Sequence, residues 1–391
     1  MNTIYFISRD ANWQHYRNEI LNYLSIEKGV YVEILTTGQL KPYLKDSGNL
    51  KYRVFTNIFS DKRKINFFPS ALWYIWKNRP DCVIGQNGAL NITEYFALIV
   101  CKILKIRYVW WTRAYEHKPV KNLLLRKMRQ RYVNFFLRRA DAIIVYSKIG
   151  YEFLVQIGYS RKRIYLAYNT LDTHKLKNIK DRTRQQLNKQ KFIKLEFPEI
   201  SYESKFILFS GRINRFKKVH NLVKAMKCLV GWDINIHLIV IGEGEEMGKC
   251  VDLATNLNLG RNIHFKGAIY DQDELGKYFE IADIYSIPGS VGLGIVHAFS
   301  FGLPIITEDL DYHSAEIQYL KNDVNGYFVP EDEPQKLAEA IFKVLNDRTL
   351  LRKLSENALR TSENEAGVDV MINEFYRALT GSEKEIRAKA R

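Results

Sequence analysis

Short apolar runs alternate with longer amphipathic stretches along nearly the whole chain. In the first half Ile4–Ile7, Val30–Thr36, Cys82–Gly85, Arg107–Trp111, Ala142–Tyr146 and Arg163–Ala167 read as short buried strands. Trp13–Ser25, Ser70–Lys77, Thr93–Leu104 and Pro119–Arg139 separate them as helices. Buried strands joined through helices predict parallel βαβ units. The second half repeats the rhythm. Phe206–Ser210, Asn235–Ile241, Asn262–Lys266, Ile284–Ile287, Ile305–Thr307 and Gly326–Val329 are its strands. His220–Val230, Glu246–Leu257, Asp273–Ile281 and Gln335–Asn346 are its helices. Thr173–Ser204 breaks the pattern, being polar, rich in Lys, Gln, Glu and Asn, and interrupted by Pro198. The pattern therefore predicts an α/β chain of two Rossmann-like domains, 1–172 and 206–375, with a linker at 173–205 and a charged tail at 376–391. Two such domains are expected to face each other across a cleft that holds a ligand.

Length and composition agree. A chain of 391 residues exceeds one typical domain, and 46% hydrophobic residues suffice for two cores. Cys82, Cys101, Cys228 and Cys250 are widely spaced and form no metal or disulfide framework, which fits a reducing compartment. The opening residues read as a strand rather than a signal peptide. The longest apolar run, Tyr95–Cys101, is far short of a membrane span, so a soluble or peripheral protein is expected, on the cytoplasmic side.

Charge changes the picture. The net charge is +16, and residues 1–172 carry all of it, with 28 Lys and Arg against 12 Asp and Glu. The remainder holds 31 of each sign. Such asymmetry implies an anionic partner for the first domain.

The chemistry concentrates at strand ends. After Ile284–Ile287 comes a loop with Gly289, Ser290, Val291, Gly292, Leu293 and Gly294, then a helix that Gly302-Leu303-Pro304 stops. Glycines let backbone approach a ligand, and a helix N-terminus favours an anion. Read alone, this is either a phosphate cradle or a tight turn. Gly211 and Arg212 close strand Phe206–Ser210, and Lys217 follows; read alone this is either a basic surface loop or a diphosphate clamp, Arg offering a bidentate fork and Lys a compact charge. Gly242-Glu243-Gly244 is either a plain turn or one that lines a nucleotide, and Glu316 is either an exposed surface glutamate or a contact to sugar or ribose hydroxyls. Arg9 to Arg17, including Asp10, Asn12 and His15, fills the first β–α loop and helix start, while Asn87 follows the strand at Cys82–Gly85.

Gly211-Arg212 with Lys217, Gly242-Glu243-Gly244, Phe265-Lys266-Gly267, Ala282-Asp283, Pro288-Gly289, Gly302-Leu303-Pro304-Ile305-Ile306 and Asn325-Gly326-Tyr327 form an ordered series. The series closely resembles the donor-binding domain of glycosyltransferase family 4, over roughly residues 206–350. Asp141-Ala142-Ile143-Ile144 and Asn169-Thr170-Leu171-Asp172 extend the resemblance more weakly into the first half. These are retaining, nucleotide-sugar-dependent enzymes of the GT-B fold. The resemblance implies that Arg212 and Lys217 hold the donor diphosphate and that Gly289–Gly294 approaches phosphates and sugar. Asp10, Asn12, His15, Arg17 and Asn87 then face the acceptor. Two family glutamates fall at Gly289 and His297. Glycine cannot replace a carboxylate, whereas His297 either takes over the ribose contact or packs inside its helix. Where such enzymes often place a His near the reacting carbon, this chain has Arg113, with Glu116 and His117 nearby. Arg113 stays protonated and suits an acceptor phosphate or departing charge.

The helix at 118–139 carries eight basic residues including its approach, with Leu124, Met128, Tyr132, Phe135 and Phe136 on one stripe. It is either a core-packed helix with a solvated basic surface or a site of electrostatic docking on anionic lipid. No nucleic-acid recognition module is present. The expected function is transfer of a hexose from a nucleotide diphosphate donor to a hydroxyl of a lipid-linked glycan, in cell-surface polysaccharide or lipopolysaccharide assembly. No Asp-x-Asp pair or His cluster is read at metal-ligand spacing in the proposed cleft, so neither metal nor cofactor is expected. The rival readings are a sugar-nucleotide epimerase on the same architecture and a non-catalytic nucleotide-sugar-binding relative.

Overall fold

The computed structural model describes residues 2–8, 15–38, 48–59, 65–86, 91–114 and 123–381. The chain divides into two compact units, 1–169 with 368–391, and 170–367.

The first unit is a parallel sheet of β1 (Thr3–Ile7), β2 (Tyr31–Thr37), β3 (Lys51–Phe55), β4 (Cys82–Gln86), β5 (Arg107–Thr112), β6 (Ala142–Val145) and β7 (Ile164–Leu166). Their spatial order is β3-β2-β1-β4-β5-β6-β7. Helices α1 (His15–Lys28), α2 (Pro69–Asn78), α3 (Ile92–Leu104), α4 (Leu123–Arg139) and α5 (Lys148–Gln156) connect them. One face packs Ala71 and Ile75 of α2, Ala97, Leu98 and Cys101 of α3, and Tyr132 and Phe136 of α4. The other packs Ile20, Leu21 and Leu24 of α1. The sequence pattern missed β3. It is an edge strand with mostly exposed positions, and Lys51 and Arg53 break its hydrophobic signal.

The second unit contains β8 (Lys205–Ser210), β9 (Ile236–Ile241), β10 (Ile263–Gly267), β11 (Ile284–Ser286), β12 (Ile305–Glu308) and β13 (Gly326–Val329). They run parallel in the order β10-β9-β8-β11-β12-β13. Reversal of strand order about β8 and β11 is the switch point at which such sheets bind ligands.

Three expected boundaries are corrected. Residues 173–205 are not a linker. They form α6 (Thr173–Gln186) and α7 (Lys189–Glu196), which pack within the second unit. Asp172 and Asn188 cap these helices by accepting from Lys175 N and Lys191 N. Phe192 meets Tyr278 edge-on at 5.3 Å, and Lys266 Nζ bonds Glu196 at 2.9 Å. A polar composition concealed a buried stripe of Leu176, Ile179, Phe192 and Ile193.

After α8 (Val219–Trp232), α9 (Met247–Asn256), α10 (Gln272–Ile281), α11 (Gly294–Phe301), α12 (Pro334–Asn346) and α13 (Arg348–Asn364), the chain returns to the first unit as α14 (Val368–Thr380). The second domain therefore stops before 375. The supposed tail begins inside a packed helix. Val368, Met371, Ile372, Phe375, Ala378 and Leu379 lie in the core of the first unit, and Phe375 meets Trp111 at 4.8 Å. Full burial of a side chain such as Phe375 contributes about 1.5–3 kcal/mol. The i, i+3, i+4 spacing announces a buried helix but not which sheet it covers.

Candidate functional site

The carboxyl edge of the second sheet is tied together by backbone. Gly211 N–H donates to Ile241 O (2.9 Å), Ile213 N–H to Glu243 O (2.8 Å) and Gly242 N–H to Gly267 O (2.7 Å). Three strand-end loops are thereby fixed to one another. At residue 242, where φ is 137°, a Cβ would stand 1.9 Å from Gly211 O, so only glycine fits. Arg212 and Glu243 are exposed on this edge.

The Gly289–Gly294 loop is anchored from two sides. Asn214 Oδ1 accepts from Phe216 N and Lys217 N and folds the turn Arg215–Lys217. Along that turn Gly289 N–H donates to Lys217 O (3.0 Å) and Ser290 N–H to Phe216 O (2.7 Å). Lys217 Nζ donates to Ser290 O. On the other side Val291 N–H donates to His313 Nδ1 (3.0 Å), and Ser314 N–H to Val291 O (3.0 Å). Ser290 Oγ donates to Tyr312 O (3.2 Å). Because His313 Nδ1 accepts, its proton sits on Nε2, which lies 2.8 Å from Glu308 O. Burial lowers the pKa of His313 and keeps this neutral tautomer.

Between these anchors Gly292, Leu293 and Gly294 remain partly open. The first bonds of α11 come from Ile295 N to Gly292 O (3.1 Å) and Val296 N to Leu293 O (3.0 Å). The amides at 292–294 thus precede the helix's own ladder, where the dipole is positive. A Cβ on Gly292 would meet only Ser314 Oγ at 3.8 Å, so there is room beside it.

Two adjacent lysines have opposite fates. Lys217 is half-buried; desolvation lowers its pKa, and the nearby Glu316 carboxylate opposes that shift. Glu316 is itself buried in the turn Ala315–Tyr319. Lys218 turns inward in the left-handed region, with φ 49°. Its Nζ bonds Glu308 (3.0 Å), Glu331 (2.7 Å) and Asp332 (2.8 Å). Burial works against its charge, but the hydrogen bonds from these three carboxylates push its pKa up. Among the described residues this acidic trio is the one group with chelating spacing, and a lysine ammonium already sits among its oxygens.

His297 is 8% exposed and lies flat on Phe279, with ring centroids 4.0 Å apart. Its Nε2 has no hydrogen-bond partner among the described residues, and burial pushes its pKa down to about 3.

At the carboxyl edge of the first sheet, backbone ties such as Ser8 N–H to Leu35 O (2.9 Å) are joined by side-chain contacts. Arg17 Nη1 donates to Gln86 Oε1 (2.9 Å), and its guanidinium lies 4.4 Å from the centre of the Trp111 ring. Arg113, exposed after β5, donates through Nε to Tyr146 OH (2.9 Å). Behind them Glu94 is fully buried. It accepts from Gln86 N (3.2 Å), Asn91 Nδ2 (3.1 Å) and Tyr132 OH (3.3 Å), yet desolvation holds its pKa well above the usual carboxylate range. Asp10, Asn12, Asn87 and His117 lie outside the described residues, and so does the side chain of His15.

Comparison with known proteins gives this geometry a family. The model described as "Glycosyl transferases group 1" matches residues 191–361, and "Glycosyltransferase Family 4" matches 19–175. This chain is a glycosyltransferase similar to family 4. An uncharacterized glycosyltransferase of Methanocaldococcus jannaschii is 22% identical over 337 residues, which is 78% of this chain and 80% of that protein. The lipopolysaccharide core biosynthesis glycosyltransferase LpsE of Rhizobium meliloti is 24% identical over 174 residues, 44% of this chain and 46% of that one. The crystal structure of Anabaena HepE in complex with UDP superposes with a TM-score of 0.73 at 17% identity, covering 97% of this chain and all of that one. That likeness shows the GT-B fold, two parallel-sheet α/β domains as expected from the sequence.

In this glycosyltransferase the missing glutamate at Gly289 has a local reason. A Cβ there would lie 2.1 Å from Phe216 O, so the close seam between the two loops admits only glycine. At 297 the structure has the packed arrangement. Sequence reasoning missed His313, which pins the loop, and Lys218, which neutralises Glu308. For His313 no local signal exists. For Lys218 the Lys-Lys pair was visible, but not which lysine turns inward.

Proposed function

We propose that this glycosyltransferase is retaining and moves a hexose from a nucleoside diphosphate donor to a hydroxyl of a lipid-linked glycan, in cell-surface polysaccharide or lipopolysaccharide assembly. The observation that carries the reading is the meeting of Lys217 Nζ with the backbone of the glycine loop that opens α11. A diphosphate at that mouth would receive the loop amides, the helix dipole and the Lys217 ammonium. Arg212, exposed on the adjoining loop, would add a bidentate contact. These groups stabilise the charge that grows on the leaving diphosphate. Binding of an anion would also restore the proton affinity that burial takes from Lys217. Gly211, Gly242 and Glu243 line the nucleotide side. With no carboxylate possible at Gly289, Glu316, buried near Lys217, would be the carboxylate that receives donor-sugar hydroxyls.

On the acceptor side Arg113 and Arg17 would recognise an anionic group, joined by Asp10, Asn12, His15, Asn87 and His117. LpsE acts in lipopolysaccharide core biosynthesis, which supports a glycan acceptor of this class. UDP bound to HepE supports a nucleoside diphosphate donor. Catalysis would need no metal, because Lys218 already supplies the cation among the acidic trio. No helix among the described residues is long and apolar enough to cross a membrane, so association with the inner leaflet would be peripheral.

A thermal-shift screen against UDP, GDP, ADP and CMP tests the donor site, since a specific ligand raises the Tm by mass action. The matching nucleotide sugar should then give product only with acceptor present, with the donor's anomeric configuration kept and EDTA without effect. Isomerised donor without acceptor would identify an epimerase. Failure of every nucleotide to bind would overturn the reading.

A further inference from the structure

The outer faces of α2 and α3 are apolar where solvent should favour polar residues. Trp73 and Trp76 on α2 are 61% and 47% exposed, and Phe96, Ile99 and Ile103 on α3 are 45%, 44% and 62% exposed. The spacings 73/76 and 96/99/103 form one stripe on each helix, opposite the positions that bury Ile75, Leu98 and Cys101 against the sheet. The two helices pack side by side on the same sheet face. Single exposed apolar residues are ordinary, but five on adjoining stripes mark a contact surface. The flanks are cationic. Lys77, Arg79 and Lys105 are exposed at the ends of these helices, and Lys127, Arg131 and Arg138 are exposed on α4. Between Pro69 and Arg139 the sequence holds fourteen Lys and Arg against three Asp and Glu, one of which is the buried Glu94.

We infer that the α2–α3 face docks on an anionic lipid bilayer, Trp73 and Trp76 seating at the headgroup level and the basic flanks meeting lipid phosphates. Tryptophan is suited to that depth because its ring is apolar and its N–H stays hydrated. A shallow apolar stripe and a basic rim supply the two signals that stable peripheral binding requires. The surface differs from the one expected from the sequence. On α4 the rings of Tyr132 and Phe136 are buried, so that helix contributes charge, not insertion. The inference deepens the proposal of a lipid-linked acceptor, but its test uses neither donor nor acceptor and can fail alone.

The full chain is mixed with phosphatidylcholine vesicles with and without phosphatidylglycerol, and flotation measures binding. Binding is expected only with phosphatidylglycerol, with Trp fluorescence quenched by brominated acyl chains. Trp73→Gln with Trp76→Gln should weaken binding at least about tenfold, with far-UV circular dichroism and the urea midpoint as controls for folding. Trp73→Phe with Trp76→Phe should keep binding and lose most of the quenching. Unchanged binding of the Gln variant, or loss of binding only on charge reversal at Lys127 and Arg131, would overturn the inference. So would a concentration-dependent dimer that the Gln variant dissolves, which would make a second copy the occupant.

Discussion

The carboxyl edges of the two sheets are built differently. In the second unit, loop is tied to loop by backbone amides and carbonyls, and glycines at 242 and 289 let the chains approach. Among the described residues of the first unit, a backbone tie from Ser8 N–H to Leu35 O is joined by side-chain contacts, Arg17 with Gln86 and Trp111, and Arg113 with Tyr146. Backbone seams are insensitive to most substitutions but intolerant at the few positions where a Cβ will not fit. Side-chain contacts change one residue at a time. This division suits the proposal of a donor diphosphate on the second edge and an acceptor on the first.

The largest effect should come from Lys217→Ala. Loss of a preorganised charge contact is expected to reduce kcat about 10²–10³-fold, and steady-state kinetics with saturating donor measure it. A variant with full turnover would remove the reason for treating the second edge as the charge-stabilising one. Gly289→Ala should come next. With its Cβ 2.1 Å from Phe216 O, the seam must open, at a stability cost of about 1–3 kcal/mol. Urea unfolding reads this, and a neutral result would mean that the seam is not a constraint.

Acid and base should separate the two units. His297 has a folded pKa of about 3 against an ordinary 6.5. Below pH 6.5 the unfolded chain binds a proton that the native second unit refuses, so stability falls as pH drops, by roughly 1.4 kcal/mol per unit for a fully silent group. Glu94 works in the opposite sense. Its folded pKa is raised, so the native first unit holds a proton that the unfolded chain has lost, and stability falls as pH rises above 4.5. Hydrogen exchange in urea at several pH values follows each unit separately. Glu94→Gln should flatten the response of the first unit alone.

Arg113→Ala should have the smallest effect, about a fivefold rise in acceptor KM on the scale of one exposed charged contact. Nucleotide affinity measured by titration calorimetry should be unchanged. A change in nucleotide affinity would break the division between the edges.

Much of this was legible in the chain itself. Hydrophobic periodicity determined two parallel α/β sheets, because buried strands and amphipathic helices write their geometry into residue spacing. The order of glycines, Arg212 and Lys217 carried the resemblance to family 4, because several local signals in one fixed order say more than a glycine-lined strand end alone. Only the tertiary structure decided which sheet α14 covers, since a buried stripe does not name its partner. It alone turned Lys217 toward the glycine loop and Lys218 toward Glu308, residues ninety positions apart in sequence. The same holds for His313 and for the exposed stripes of α2 and α3. Each depends on what long-range packing covers or leaves bare, and local sequence carries no record of that.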